Sequence, residues 1–322
     1  MSDDDMAFQR TYKALATNLD KTLKEFQSSS SKFRVLQTIN PSDPTKPQPP
    51  APVARSDSPR TLFILDSSFN PPSIAHQTLV ESALQSSNSS KFLTPLRLLL
   101  LFSTQNADKA PSAASFDQRL TLMTIFASDI LSNLLSSTTS HDFSIPSIDI
   151  GVTTAPYYTD KSAAIDADSS SPDAYYPRRP DGESCKHIHL IGFDTATRFF
   201  APKYYPSFSP PLSALQPYFT AGHSLRVTLR PDPQFGSVAD QRAWLARLGD
   251  GELEAEGGKR EWARQVEVVE ANERAEVSST KIRKAAKAGE WDVVKGLCTE
   301  GVARWVESAG LYDEDARGSK MG

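Results

Sequence analysis

Two uninterrupted apolar runs limit what this chain can fold into: "TLFILD" from residue 61 and "LRLLLLFST" from residue 96. A strand that is apolar on both sides must be covered on both sides, which is the situation inside a parallel sheet flanked by helices. Each run is followed by a stretch with helical spacing. "IAHQTLVESAL" follows the first, and "FDQRLTLMTIFASDILSNLL" follows the second with a stripe of Phe116, Leu120, Met123, Ile125 and Ile130. Four further segments, "FSIPSIDIGV", "HIHLIGFD", "HSLRVTLR" and "QVEVVE", read as strands. Strand and helix alternating at this pitch predict an α/β fold: a doubly wound, Rossmann-like parallel sheet with helices on both faces. The 322 residues suffice for one large domain of that kind.

The flanks read differently. Phe8, Tyr12, Leu15, Leu19, Leu23 and Phe26 recur every three or four residues, which predicts an amphipathic helix over roughly residues 6 to 27. Its apolar side can pack on the main domain or meet a protein partner. "SSSSKFRVLQTI" holds a short candidate edge strand, and "NPSDPTKPQPPAPVARSDSP" reads as a proline-rich linker. The expected division is therefore an extension over residues 1–60, a globular domain over 61–313 and a flexible tail over 314–322. Within the domain, "DADSSSPDAYYPRRPDGES" interrupts the alternation and is expected as a surface insertion at about residues 160–185. Residues 249–259 are expected as a loop, and Trp291 and Trp305 as core residues of a helical C-terminus.

Composition excludes several classes. A formal charge of −4 makes no electrostatic case for nucleic acid or a membrane surface. Cys185 and Cys298 make neither a disulfide framework nor a four-ligand zinc site, and nothing beside them would lower a thiol pKa. No long apolar run reads as a membrane span, and "MSDDDMAF" is not a signal peptide. The expectation is a soluble protein of the cytoplasm, the nucleus or both. His187 and His189 share one face of a strand without a third ligand at sensible spacing, so no metal site is expected there. The basic cluster "PRRPDG" reads as solvated.

Chemistry concentrates at the end of the first buried strand, in "DSSFNPPSIAH". In open α/β sheets ligands sit at the carboxyl ends of the strands where the strand order reverses, so residues 67 to 74 would line that crevice. Two prolines stiffen the turn. His76 falls in the first turn of the next helix, where free N–H groups and the helix dipole favour an anion. It can pack against the sheet, or it can donate a hydrogen bond to a phosphate. A second motif, "EVSSTKIRKAAKAGEW", sets Ser278, Ser279 and Thr280 before a helix carrying Lys281, Arg283 and Lys284. Ser and Thr at a helix start are ordinary N-caps. With free N–H groups and a forked guanidinium one turn on, they also make a phosphate cradle. Neither a Walker A nor a GxGxxG run is present.

The two motifs, in this order and on this fold pattern, resemble the nucleotidyltransferase superfamily. More closely they resemble nicotinamide mononucleotide adenylyltransferases, and most closely a fungal branch of them. "SSFNPPSIAH" is similar to the family's GSFNP-x-T-x-x-H turn, and "VSSTKIR" to its I-S-S-T-x-I-R signature. "NADKAPSAASFDQRLTLM" looks like the family's lysine loop and following helix, "IGFDTATRFF" like its G-x-D turn, and "GVARWVESAGLY" like its closing pattern. The resemblance spans about residues 61 to 312.

What it implies is adenylyl transfer: ATP and nicotinamide mononucleotide, with Mg²⁺ accompanying ATP, give NAD⁺ and pyrophosphate. His76 would contact the α-phosphate, with Ser68 in the same turn, Ser73 standing for the family's threonine, and Phe69 and Asn70 shaping the turn. Lys109 would reach the phosphates. Ser278, Ser279, Thr280 and Arg283 would hold the phosphates that leave, and Asp194 would lie near a ribose. The family's tryptophan–glutamate pair for the nicotinamide ring has no clear counterpart; Tyr157 and Tyr158 can stack on such a ring or serve as ordinary loop aromatics. Ser67 replaces the family's first glycine in the turn. Two other functions stay open: adenylyl transfer to a different phosphate acceptor, and an ATP-binding protein with slow hydrolysis that acts as a binding or quality-control factor. Cytidylyl transfer is disfavoured because there is no H-x-G-H run.

Overall fold

A computed structural model describes residues 3–50, 52–86, 91–105, 114–137, 145–171, 174–231, 234–270 and 277–313. The chain begins with α1 (Asp3–Gln27), β1 (Phe33–Asn40) and β2 (Asp43–Gln48). The predicted alternation then follows as β3 (Thr61–Asp66), α2 (Ile74–Ser86), β4 (Leu96–Ser103), α3 (Phe116–Ser137), β5 (Ile148–Thr153) and α4 (Tyr158–Asp168). It continues with β6 (Lys186–Gly192), α5 (Phe193–Phe199), α6 (Gln216–Thr220), β7 (Ser224–Thr228), α7 (Val238–Gly249) and β8 (Val266–Val269). Three helices close the chain: α8 (Ser279–Lys287), α9 (Trp291–Leu297) and α10 (Glu300–Ser308).

The eight strands form one sheet in the order β2-β1-β5-β4-β3-β6-β7-β8. Strands β3 to β8 run parallel to one another. The chain winds outward from β3 through β4 and β5, returns to β6, and winds out the other way through β7 and β8. This is the doubly wound order, and the reversal lies between β3 and β6. Alternation along β3 splits its side chains between the two layers. Phe63 and Leu65 join the core under α2, α3 and α8, whereas Leu62 and Ile64 join the core under α4. Asp66, two residues past Ile64, belongs to the α4 side.

The extension and linker expected over residues 1–60 need correcting. β1 is not an edge strand: it lies between β2 and β5, antiparallel to both. The edge strand is β2, formed from "DPTKPQ" inside the segment expected as linker. Its prolines are tolerated because an edge strand has N–H positions that no neighbour needs. The apolar face of α1 is covered as well. Tyr12, Leu19, Leu23 and Phe26 are buried in the main core, Tyr12 meets Trp305 edge-on at 5.9 Å, and Arg304 pairs with Asp4 and Asp5. The face that would have served a partner is thus spent within the fold. Trp305 is buried and Trp291 packs partly buried against the same core. Among the described helices α3 is long and apolar enough to cross a membrane; two-thirds of its apolar window is buried inside the protein.

The insertion expected at the surface is not one either. Its first residues form α4, and Tyr175 and Tyr176 beyond it are buried. Asp149 explains this. Its fully buried carboxylate accepts hydrogen bonds from Thr38 Oγ1 (2.7 Å), Tyr176 Oη (2.7 Å), Tyr175 Oη (2.9 Å) and Arg97 Nε (2.9 Å). One carboxylate therefore ties β1, β4, β5 and the 169–185 segment together. Removing one partner of a buried ion pair leaves the other uncompensated, at a cost of about 3–5 kcal/mol. We expect Asp149→Ala to lose stability on that scale in urea unfolding; a loss below about 1 kcal/mol would contradict the role given to this carboxylate.

Candidate active site

A cleft of about 590 Å³ opens at the carboxyl ends of β3 and β6, where the strand order reverses. That size suits a nucleotide-scale ligand. One wall is the β3–α2 turn, with Ser67, Ser68, Ser73 and His76. The second is the start of α8, with Ser278, Ser279, Thr280 and Arg283. The third comes from the β6 and β7 ends and α4, with Asp194, Arg198, Tyr157 and Tyr158. The fold thus brings together segments separated by about 200 residues in sequence.

His76 is oriented by its own turn. The Ser73 backbone N–H donates to His76 Nδ1 at 3.0 Å, and Ser73 Oγ lies 2.9 Å from the same nitrogen. An Nδ1 that accepts an amide proton places the ring's own proton on Nε2. Nε2–H donates to Ser67 Oγ at 2.9 Å, at the rim of the cleft. The serine that replaces the family's glycine therefore sits on the very proton a phosphate would receive. Phe69 is buried beneath the turn at φ 45°, its ring 5.5 Å from that of His76. Phe69 and Asn70 do not line the cleft; they shape it from below.

The start of α8 is fastened to this turn. Arg283 Nη1 donates to the Asn70 carbonyl at 2.7 Å, and Ser279 Oγ to the Pro71 carbonyl at 2.8 Å. Tyr312 Oη donates to Asn70 Oδ1 at 2.9 Å. The three hydroxyls thus divide their work. Ser278 caps the helix through the Lys281 N–H, Ser279 holds the turn, and Thr280 Oγ1 accepts from Arg283 Nη2 at 3.1 Å. The start of α8, with its dipole's positive end, and Arg283 line the same cleft as His76.

On the third wall, Asp194 stands in the first turn of α5, where it accepts from Arg198 Nη2 at 3.0 Å and lies 3.9 Å from Arg230. A Cβ at residue 192 would stand 2.9 Å from Asp194 Oδ1, so a larger residue there would shift this carboxylate. The two tyrosines differ. Tyr157 is 36% exposed with its ring 6.1 Å from that of Tyr205, so it remains open to a ring in the cleft. Tyr158 packs edge-on against His189 and Phe199, with the Lys161 ammonium over its ring at 5.0 Å. Tyr158 is thus engaged in packing at the cleft wall, which it also lines. Lys109 lies outside the described residues.

Several cleft residues carry no local sequence signal. Asp66 and Lys161 form a buried ion pair in the cleft wall. Arg119 lies behind Phe102, its guanidinium 4.7 Å from that ring and 5.0 Å from Phe116, with Nη1 donating to the Ser68 carbonyl. No carboxylate among the described residues pairs with it, and burial pulls it down to about 10. Only proximity in the fold pairs Asp66 with Lys161; Arg119 lies behind the wall, in the helix whose arginine the family resemblance includes.

At the opposite end of the sheet, Asp166, His187 and His223 bring potential metal-ligand atoms within 4.8 Å of one another. Their bonding does not fit a cation. His223 Nδ1 accepts the His187 backbone N–H at 3.1 Å, so its proton is on Nε2, which donates to Asp166 at 3.0 Å. Metal-bound histidines instead donate from the second nitrogen. The His187 and His223 rings are also stacked, 4.0 Å apart and 3° from parallel, so their in-plane lone pairs do not converge.

No family model matches the chain. A Schizosaccharomyces pombe protein named "Putative nicotinamide mononucleotide adenylyltransferase" is 26% identical over 283 residues, covering 87% of this chain and 91% of its own length. The resemblance to the nicotinamide mononucleotide adenylyltransferase family holds. Among solved structures, Plasmodium falciparum nicotinic acid mononucleotide adenylyltransferase complexed with APC aligns over 80% of this chain and 98% of its own, at 12% identity and a TM-score of 0.43. Thermotoga maritima TmcAL bound with alpha-thio ATP aligns over 78% of this chain and 57% of its own, at 12% identity and a TM-score of 0.35.

The buried histidines give a pH dependence. Burial holds His187 and His189 well below the ordinary histidine value. The unfolded chain takes up protons near pH 6.5 and the folded one does not. The stability these groups contribute is therefore present above about pH 6.5 and is lost as the pH falls below it, by at most ~1.4 kcal/mol per pH unit for each. The melting temperature should fall more steeply between pH 7 and 5.5 in the wild type than in His187→Leu; parallel curves would contradict the assignment.

Proposed function

We propose that this protein is an adenylyltransferase that joins ATP to nicotinamide mononucleotide, releasing pyrophosphate and NAD⁺. The observation that carries this reading is the fixed tautomer of His76: its Nε2–H meets Ser67 at the rim of a cleft that the start of α8 and Arg283 also line. A triphosphate spanning the two walls would lay its α-phosphate at His76 and its β- and γ-phosphates at the α8 N–H groups and Arg283. The name of the fungal relative supports the choice of acceptor.

The reaction needs no protein nucleophile. A phosphate oxygen of the mononucleotide attacks the α-phosphorus in line, the bond to the β-phosphate oxygen breaks, and pyrophosphate leaves. His76 donates to a non-bridging oxygen as charge develops. Arg283 and the helix start hold the leaving phosphates, and Tyr157 borders the space left for the acceptor ring. Within the described cleft, Asp66 pairs with Lys161 through one carboxylate oxygen, and Asp194 pairs with Arg198. Mg²⁺ would accompany ATP and offset the charge of its phosphates.

Ser67 favours a second reading, a nucleotide-binding protein with slow hydrolysis, because its hydroxyl already occupies the His76 proton. The acceptor separates the two. Under adenylyl transfer, pyrophosphate and NAD⁺ appear from Mg-ATP only when nicotinamide mononucleotide is added, and His76→Ala loses about 10²–10³ in kcat. Near-normal turnover by that variant, or equal ATP consumption without acceptor, would overturn the reading.

A further inference from the structure

The geometry points to Asp66 and Lys161 as a carboxamide-reading pair that selects a nicotinamide ring, with its neutral amide substituent, over its acid counterpart. This rests on the adenylyl-transfer reading and names the acceptor class within it. Asp66 is the last residue of β3 and lies on the α4 side of the sheet; Lys161 is in the first turn of α4. Their side chains are 7% and 5% exposed, they bond directly to each other, and both line the cleft. They line the cleft together with Tyr157, Tyr158, Asp194 and Arg198, the part assigned above to the acceptor.

Burying two opposite charges is costly unless their remaining hydrogen-bonding capacity is used. An ammonium has three N–H donors and a carboxylate two acceptor oxygens. Lys161 spends one donor on Asp66 and rests over the Tyr158 ring; Asp66 binds through a single oxygen. A donor and an acceptor therefore remain on adjacent atoms at the cleft wall. A primary carboxamide presents the complementary set. Its carbonyl accepts from Lys161 and its NH₂ donates to Asp66, and the pair and the substituent are both neutral overall. A carboxylate substituent satisfies Lys161 but meets the Asp66 carboxylate as a like charge with no proton to share. Sites that hydrogen-bond a substrate group reject analogues that leave buried polar atoms unmatched. A tie that merely fastened α4 to the sheet would be indifferent to the ring substituent.

The test is the ratio of kcat/KM for nicotinamide mononucleotide to that for nicotinic acid mononucleotide, at fixed Mg-ATP, with the melting temperature read in parallel. Wild type should favour the amide at least ~10-fold. Asp66→Asn removes the like charge and can donate to a carboxylate, so the ratio should shift toward the acid by ~10-fold or more. Lys161→Gln leaves the Asp66 charge uncompensated, so the ratio should shift further toward the amide. Opposite shifts support the pair's role. A wild-type preference for the acid, or variants that lose rate and melting temperature with the ratio unchanged, would overturn it. Should Asp66→Asn fail to fold, the wild-type ratio and Lys161→Gln decide. Release of pyrophosphate with neither mononucleotide would overturn the transfer reading, and the pair's role with it; release with both at an unchanged ratio overturns only the pair.

Discussion

The site depends on the fastening between the β3–α2 turn and the start of α8. Arg283 and Ser279 donate to successive carbonyls, those of Asn70 and Pro71, and Tyr312 donates to the Asn70 side chain. These contacts join the first strand of the parallel sheet to the last helices of the chain, across more than 200 residues. They hold one helix start and the turn that carries His76 together at the rim of one cleft. Catalysis of phosphoryl transfer is mainly positioning and electrostatic stabilisation, so a rigid pair of donor walls is what the chemistry requires.

The electrostatics of the cleft follow from the same arrangement. The described carboxylates near the phosphate path are paired, Asp66 with Lys161 and Asp194 with Arg198. Arg119 lies behind the wall with no described carboxylate beside it, and the dipole of α8 points its positive end at the cleft. The balance favours an anion at the turn and leaves the side proposed for the acceptor close to neutral. A triphosphate on one side and an uncharged carboxamide on the other match that division.

Local spacing made part of this legible in the sequence. β3 and β4 could be read because both of their faces are apolar, and His76 because it follows Ser73 by three residues at a helix start. Where the partner is distant, the sequence was silent. β1 belongs to the sheet because Thr38 meets Asp149, and the segment around Tyr175 is buried for the same carboxylate. Prolines in β2 disguised an edge strand as a linker. The Asp66–Lys161 pair spans 95 positions, and His223 joins His187 across 36. No periodicity reports contacts of that kind. Ser278 shows the converse: its N-cap role was the ordinary local reading, and the structure keeps it.

The most direct test of the central claim, that the cleft presents the α-phosphate for attack, is to identify the products of ATP turnover by ³¹P NMR with nicotinamide mononucleotide and Mg²⁺ present. Attack at the α-phosphorus gives free pyrophosphate and the new P–O–P resonances of NAD⁺ in equal amounts. If ADP and inorganic phosphate accumulate instead, the bond broken is the one to the γ-phosphate, and the placement of the triphosphate between His76 and Arg283 proposed above is wrong.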